Sequence, residues 1–103
     1  MLEPTDVHHS WTFLSNYALV LITLARDPSA RLRDVADKVG ITERAAQRIV
    51  GQLEEAHVLT KVRDGRRNHY HIDLDCPLRH PLDAHKTVGS LLDMLLDEHE
   101  TSG

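Results

Sequence analysis

The chain holds a single cysteine, Cys76, in 103 residues. One thiol excludes an internal disulfide and a multi-cysteine zinc site, and it fits a reducing cytoplasm. Long apolar runs are also missing. The stretch from Tyr17 to Ala25 is too short to span a membrane, and Met1 to Ser10 lacks the basic start and apolar stretch of a leader. No Gly-rich phosphate loop, nucleophile elbow or pair of carboxylates in an evident cleft is visible, which argues against an enzyme. Repeats and low-complexity linkers are absent. What remains is a chain long enough for one domain with a modest core, expected in the cytoplasm and without a cofactor. A core of that size makes oligomerisation a natural source of extra stability.

The net charge of −4, taken as a total, argues against nucleic acid. Its distribution matters more than its total. Residues 31–72 carry nine Lys/Arg against six Asp/Glu, a net +3, and the remainder of the chain carries −7. The acidic excess sits at the two ends.

The cationic middle opens with RLRDVADKVGITERAAQRIV, Arg31 to Val50, around which the chain is organised. Val35, Ala36 and Val39 recur at helical spacing until Gly40, a residue suited to a positive φ, interrupts them. Ile41 follows, and Thr42 is a good N-cap for a second helix. That helix turns Ala46, Ile49 and Val50 inward and leaves Arg44, Gln47 and Arg48 on its other face. A small Ala, a Gly four residues later and further apolar positions on the second helix make the spacing of a helix-turn-helix. An ordinary helical hairpin is the competing reading. The polar, cationic second face favours DNA, because Arg suits guanine and the Gln amide suits adenine in a major groove.

On either side the pattern continues. Trp11, Phe13 and Leu14 precede Ser15, the expected N-cap of a first helix from about Asn16 to Arg26. Apolar nearly all round, that helix is expected to be covered on more than one side. Asp27-Pro28-Ser29 ends it, and a short strand is expected over Ala30 to Leu32. The helix after Thr42 runs through Leu53 to about Ala56, with His57 where Gly would more often end it. Leu59 to Arg63 and Asn68 to Ile72 then form a hairpin around Asp64-Gly65-Arg66-Arg67. Tyr70 and Ile72 share its core face, and His69 and His71 the other. After a connector from Asp73 to Arg79, His80-Pro81-Leu82 is expected to start a final helix, with Thr87 as an alternative, later N-cap. Its apolar stripe is Val88, Leu91, Leu92, Leu95 and Leu96, broadened by Met94.

Helix, short strand, helix-turn-helix and hairpin, in that order, make the chain resemble the small MarR-type and ArsR-type transcription regulators. The resemblance covers about Ser15 to Ile72 and is carried by LRDVADKVGITERAAQRIVGQLEEAHVL and RDGRRNHYHI. It departs at Arg31, where a Ser or Thr usually caps the helix, and at Ala46, usually a Val or Ile. The long paired helices of full-length MarR proteins are also missing. The resemblance implies a winged helix-turn-helix, mainly α with a small β-hairpin, here with an extra C-terminal dimerisation helix. We therefore divide the chain into an N-terminal extension (1–14), a DNA-binding domain (15–75), and a connector with the dimerisation helix (76–103). The resemblance also implies that Thr42, Arg44, Gln47 and Arg48 lie on the major groove of double-stranded DNA. Arg66 and Arg67 fall at a wing tip, where the negative potential of a narrow minor groove attracts Arg. Arg33 and Lys38 are expected on the DNA backbone.

The expected function is a sequence-specific regulator, a repressor, working as a homodimer on a palindromic operator, with a small-molecule effector as a further partner. Val88, Leu91, Leu92, Leu95 and Leu96 are assigned to dimerisation, because leaving them in water would expose an apolar patch; packing of this helix within its own subunit is the competing reading. Two alternatives stand beside it. The same face of a winged helix can meet an acidic protein, and some ArsR-type relatives sense metals. His69, His71, Asp73, Cys76, His80 and His85 have ligand chemistry suited to zinc or copper, but their spacing matches no metal motif, and no metal site is assigned.

Overall fold

A computed structural model of the chain describes residues 11–96, built as four helices and one hairpin. Most of the expected N-terminal extension, residues 1–10, and the end of the C-terminal segment, residues 97–103, lie outside the described residues.

Helix α1 spans Asn16–Arg26, and the hydroxyl of Ser15 caps it by accepting from the Ala18 N–H at 3.3 Å. Val20, Leu21 and Leu24 face the core. Helix α2, Leu32–Val39, begins after Arg31, whose side chain makes no capping bond. Gly40 ends it at φ 88°, in the left-handed region. The N–H groups of Gly40 and Ile41 both donate to the Ala36 carbonyl, at 2.8 and 3.0 Å. Thr42 then caps helix α3, Glu43–Glu55, accepting from the Ala45 N–H at 3.0 Å. Ala46, Ile49, Val50 and Leu53 of α3 are buried. His57, just beyond α3, has a φ of 65° where glycine would be unstrained.

Strands β1 (Leu59–Asp64) and β2 (Arg67–Ile72) pair antiparallel, with Leu59 opposite Ile72, Lys61 opposite Tyr70 and Asp64 opposite Arg67. The pairing leaves only Gly65 and Arg66 as the loop. Gly65 has a φ of 64°, and Arg66 is not in the positive region. Gly first is the pattern of a type II′ hairpin turn. Asp64, grouped with the turn from its sequence, is the last strand residue. Tyr70 is buried, Ile72 partly buried and His71 exposed, as the alternation requires.

Two expectations fail. No strand forms over Ala30 to Leu32. The Ala30 N–H closes a turn onto Asp27 at 3.0 Å, and Leu32 already belongs to α2. A single backbone bond, from the Tyr70 N–H to the Pro28 carbonyl at 2.9 Å, ties this segment to the hairpin. Nor does a helix start at His80. Local bonds win there: the His80 N–H donates to Asp83 Oδ1 at 3.1 Å, and the Leu82 N–H donates to His80 Nδ1 at 3.0 Å. The final helix, α4, runs Val88–Leu95 from the alternative cap, Thr87, which accepts from the Ser90 N–H at 3.1 Å.

The connector between β2 and α4 is sewn to the residue before β1 and to α4. Asp73 N–H donates to Val58 O at 2.9 Å, Val88 N–H to Cys76 O at 2.8 Å, and Gly89 N–H to Leu74 O at 2.9 Å. This places α4 against α1. Val88 and Leu92, assigned to a partner from their sequence, are buried in the chain's own core with Val20, Leu21 and Leu24. The apolar circumference of α1 is wide enough to pack α4 as well as α2 and α3. Leu91, Leu95 and Leu96 remain partly exposed, and Met94 is exposed.

Candidate nucleic-acid interface

One face of α3 is built for the core and the other for solvent. With Ala46, Ile49, Val50 and Leu53 inward, Arg44, Gln47 and Arg48 must point out, and all three are exposed, as is Thr42. Arg44 and Arg48 are one turn apart, so their guanidinium groups rise from the same strip of helix. Ala46 is completely buried. Its small side chain suits the close crossing of α2 on α3.

Arg33 and Lys38 are exposed on α2. Lys38 lies apart from the α3 strip, lining a groove between α1 and α2 with Asp34 and Arg26. Its neighbours there include a carboxylate as well as a cation.

The hairpin projects beyond the body of the fold, and every residue from Thr60 to Arg67 is exposed. Arg66 is in the two-residue turn and Arg67 opens β2. Two cations escaped the sequence reading: Lys61 and Arg63, both exposed on β1. Arg63 Nε donates to the Gly65 carbonyl at 3.0 Å, so this side chain braces the turn that carries Arg66. Basic content within β1 was the available signal. The apolar alternation of the two strands is the stronger pattern there.

The base of the hairpin is tied to the loop before α2. Beside the Tyr70–Pro28 bond, Ser29 Oγ and His69 Nδ1 lie 3.0 Å apart. His69 and His71 stand side by side on the outer face with ring centroids 6.1 Å apart. Among the described residues no three His, Cys, Asp or Glu side chains gather as a metal site would require. On the inner face, burial raises the Tyr70 phenol above its ordinary range. The charge of Glu54 adds to the rise, and a hydrogen bond with Asn68 opposes it.

Electrostatically, the surface is unneutralised. Among the described residues, the side chains of Arg33, Lys38, Arg44, Arg48, Lys61, Arg66 and Arg67 make no hydrogen bond or ion pair, and that of Arg63 makes only its bond to the Gly65 carbonyl. A helix pair joined at a left-handed glycine, an outward cationic strip on its second helix and a basic hairpin directly after it complete the arrangement. The fold is a winged helix-turn-helix.

Residues 19–60 match a family model described as winged helix-turn-helix DNA-binding. The match runs from the first turn of α1 through the helix pair to the second residue of the wing. No curated protein matches the chain. Among the described residues, no helix is long and apolar enough to cross a membrane.

Proposed function

We propose that the chain is a sequence-specific double-stranded DNA-binding transcription regulator, a cytoplasmic repressor of the MarR/ArsR kind that acts as a homodimer on a palindromic operator. The observation that carries this reading is the set of cations without partners on α3 and the wing. Lys and Arg that neutralise phosphates release condensed counterions, so cations not already paired within the protein are free to provide that affinity. Arg44, Gln47 and Arg48 would supply the base contacts and Thr42 a phosphate contact at the start of α3. Arg66 would enter a flanking minor groove, with Lys61, Arg63 and Arg67 along the wing. The homodimer is supported by the apolar side chains that α4 leaves partly in solvent. Paired half-sites about one helical turn apart are what a two-fold dimer of such domains reads.

The test is selection of bound duplexes from a random DNA pool, followed by fluorescence-anisotropy titration of the enriched sequence. Arg48→Ala should cost about 1–3 kcal/mol on that sequence and relax its preference. If no sequence is enriched, or Arg48→Ala binds as tightly as the wild type, the reading fails.

A further inference from the structure

Just ahead of α1, Trp11 and Phe13 meet edge to face, their ring centroids 4.8 Å apart and their planes at 78°. Both are left in water: Trp11 is 66% exposed and Phe13 91%. Thr12 Oγ1 donates to the Leu14 carbonyl at 2.6 Å, and the Ser15 cap fixes where α1 begins. Beside the pair opens an apolar cleft of about 800 Å³ whose walls come from α1, the C-terminal half of α3, the 77–83 segment and α4. Leu53, Leu78 and Leu91 line it, and Phe13, so largely exposed, can form only its rim.

We infer that this face is the contact between two copies of the chain, with each copy's Trp11–Phe13 pair entering the other's cleft. The inference rests on the homodimeric reading above and specifies its surface. A two-fold contact needs a knob and its hollow on the same patch, because each subunit must give and receive at once. Here they are adjacent. An aromatic side chain buries about 150–250 Å², so two rings from each copy remove about 600–1,000 Å² from water. The cleft walls they cover add roughly half as much again, which brings the contact to the lower end of the range of about 1,200–2,000 Å² typical of stable complexes. Leu91 continues the apolar surface along α4 towards Leu95. Arg79 and Asp83 at the cleft provide the polar margin such contacts have. The partner's rings would then rest on the C-terminal half of α3, the helix that carries Arg44 and Arg48.

Trp11 is the only tryptophan, so its emission reports on this contact directly. The experiment uses the full chain without DNA, following sedimentation velocity, tryptophan emission and iodide quenching over a range of protein concentrations. Dimer formation should coincide with a blue shift of the emission and a several-fold fall in quenching. Phe13→Ser, a change at a solvent-exposed position, should give a folded monomer by circular dichroism, with Trp11 quenched as in the dilute wild type. Leu91→Glu, on the cleft side, should do the same. A dimer whose Trp11 stays fully quenchable would overturn the inference while leaving the homodimer intact. A Trp11 protected equally at every concentration would assign the cleft to the chain's own residues and overturn it too. A wild type that remains monomeric throughout would remove the dimer altogether, whatever the DNA titration shows.

Discussion

The phenolic hydroxyl of Tyr17 donates a hydrogen bond to the side-chain carbonyl of Gln52, joining the first turn of α1 to α3 across 35 residues of sequence. Gln52 is one helical turn beyond Arg48, so the bond anchors the far end of the proposed reading strip to the body of the fold. Both side chains are exposed, and water competes for each of them. Tyr17→Phe should therefore cost about 0.5–1.5 kcal/mol, towards the lower end. Urea denaturation checks it, with a lower midpoint and an unchanged slope as the expected result.

The wing makes a separate claim. If Arg66 and Arg67 each neutralise a phosphate, replacing both with Ala should weaken binding to all duplexes alike. The slope of log affinity against log salt should become shallower by about 2, near 0.9 for each lost contact. Titrations at several salt concentrations decide this. An unchanged slope would place both arginines away from the backbone.

Tyr70 gives the fold an alkaline limit. Its phenol is raised above the ordinary 10.0, chiefly by burial and then by Glu54. A raised folded-state value means the folded chain holds the proton longer than the unfolded chain. The stabilisation is complete below the unfolded value and is lost as pH rises through the folded one. Unfolding free energy should fall above about pH 10, more steeply in the wild type than in Tyr70→Phe. Glu54→Gln should shift the tyrosinate absorbance transition to lower pH.

Gly89 answers to packing alone. A Cβ there would stand 2.9 Å from the Leu74 carbonyl oxygen and 3.1 Å from the Leu74 Cβ. That carbonyl accepts the Gly89 N–H, so neither partner can withdraw without losing the bond. Gly89→Ala should cost about 1–3 kcal/mol. Gly51, inside α3 with nothing within 4 Å of its would-be Cβ, is the control. Gly51→Ala should stabilise by about 0.5–1 kcal/mol. Thermal unfolding of the two variants reads both signs.

The order of elements and the ends of most of them were legible in the sequence alone, because they rest on interactions within a few residues. Ser15 and Thr42 cap the helices that follow them, Gly40 adopts its left-handed turn, and the alternation of β2 places Tyr70 inside. The outward set of Thr42, Arg44, Gln47 and Arg48 follows from the same helical period. Tertiary structure decided what depends on distant partners. A short strand is expected over Ala30 to Leu32, but the chain turns at Asp27, Leu32 already opens α2, and the one backbone bond to Tyr70 comes from Pro28. The missing helix start at His80-Pro81 is the exception, decided locally: the His80 N–H donates to Asp83 Oδ1 and the Leu82 N–H to the His80 imidazole. Val88 and Leu92 look like the rest of their stripe. Only the connector's bonds to Val58 and α4, which press that helix onto α1, separate the two buried residues from Leu91 and Leu95. Local periodicity says which side of a helix is apolar. What covers that side is set by contacts between residues far apart in the chain, which no short window of sequence contains.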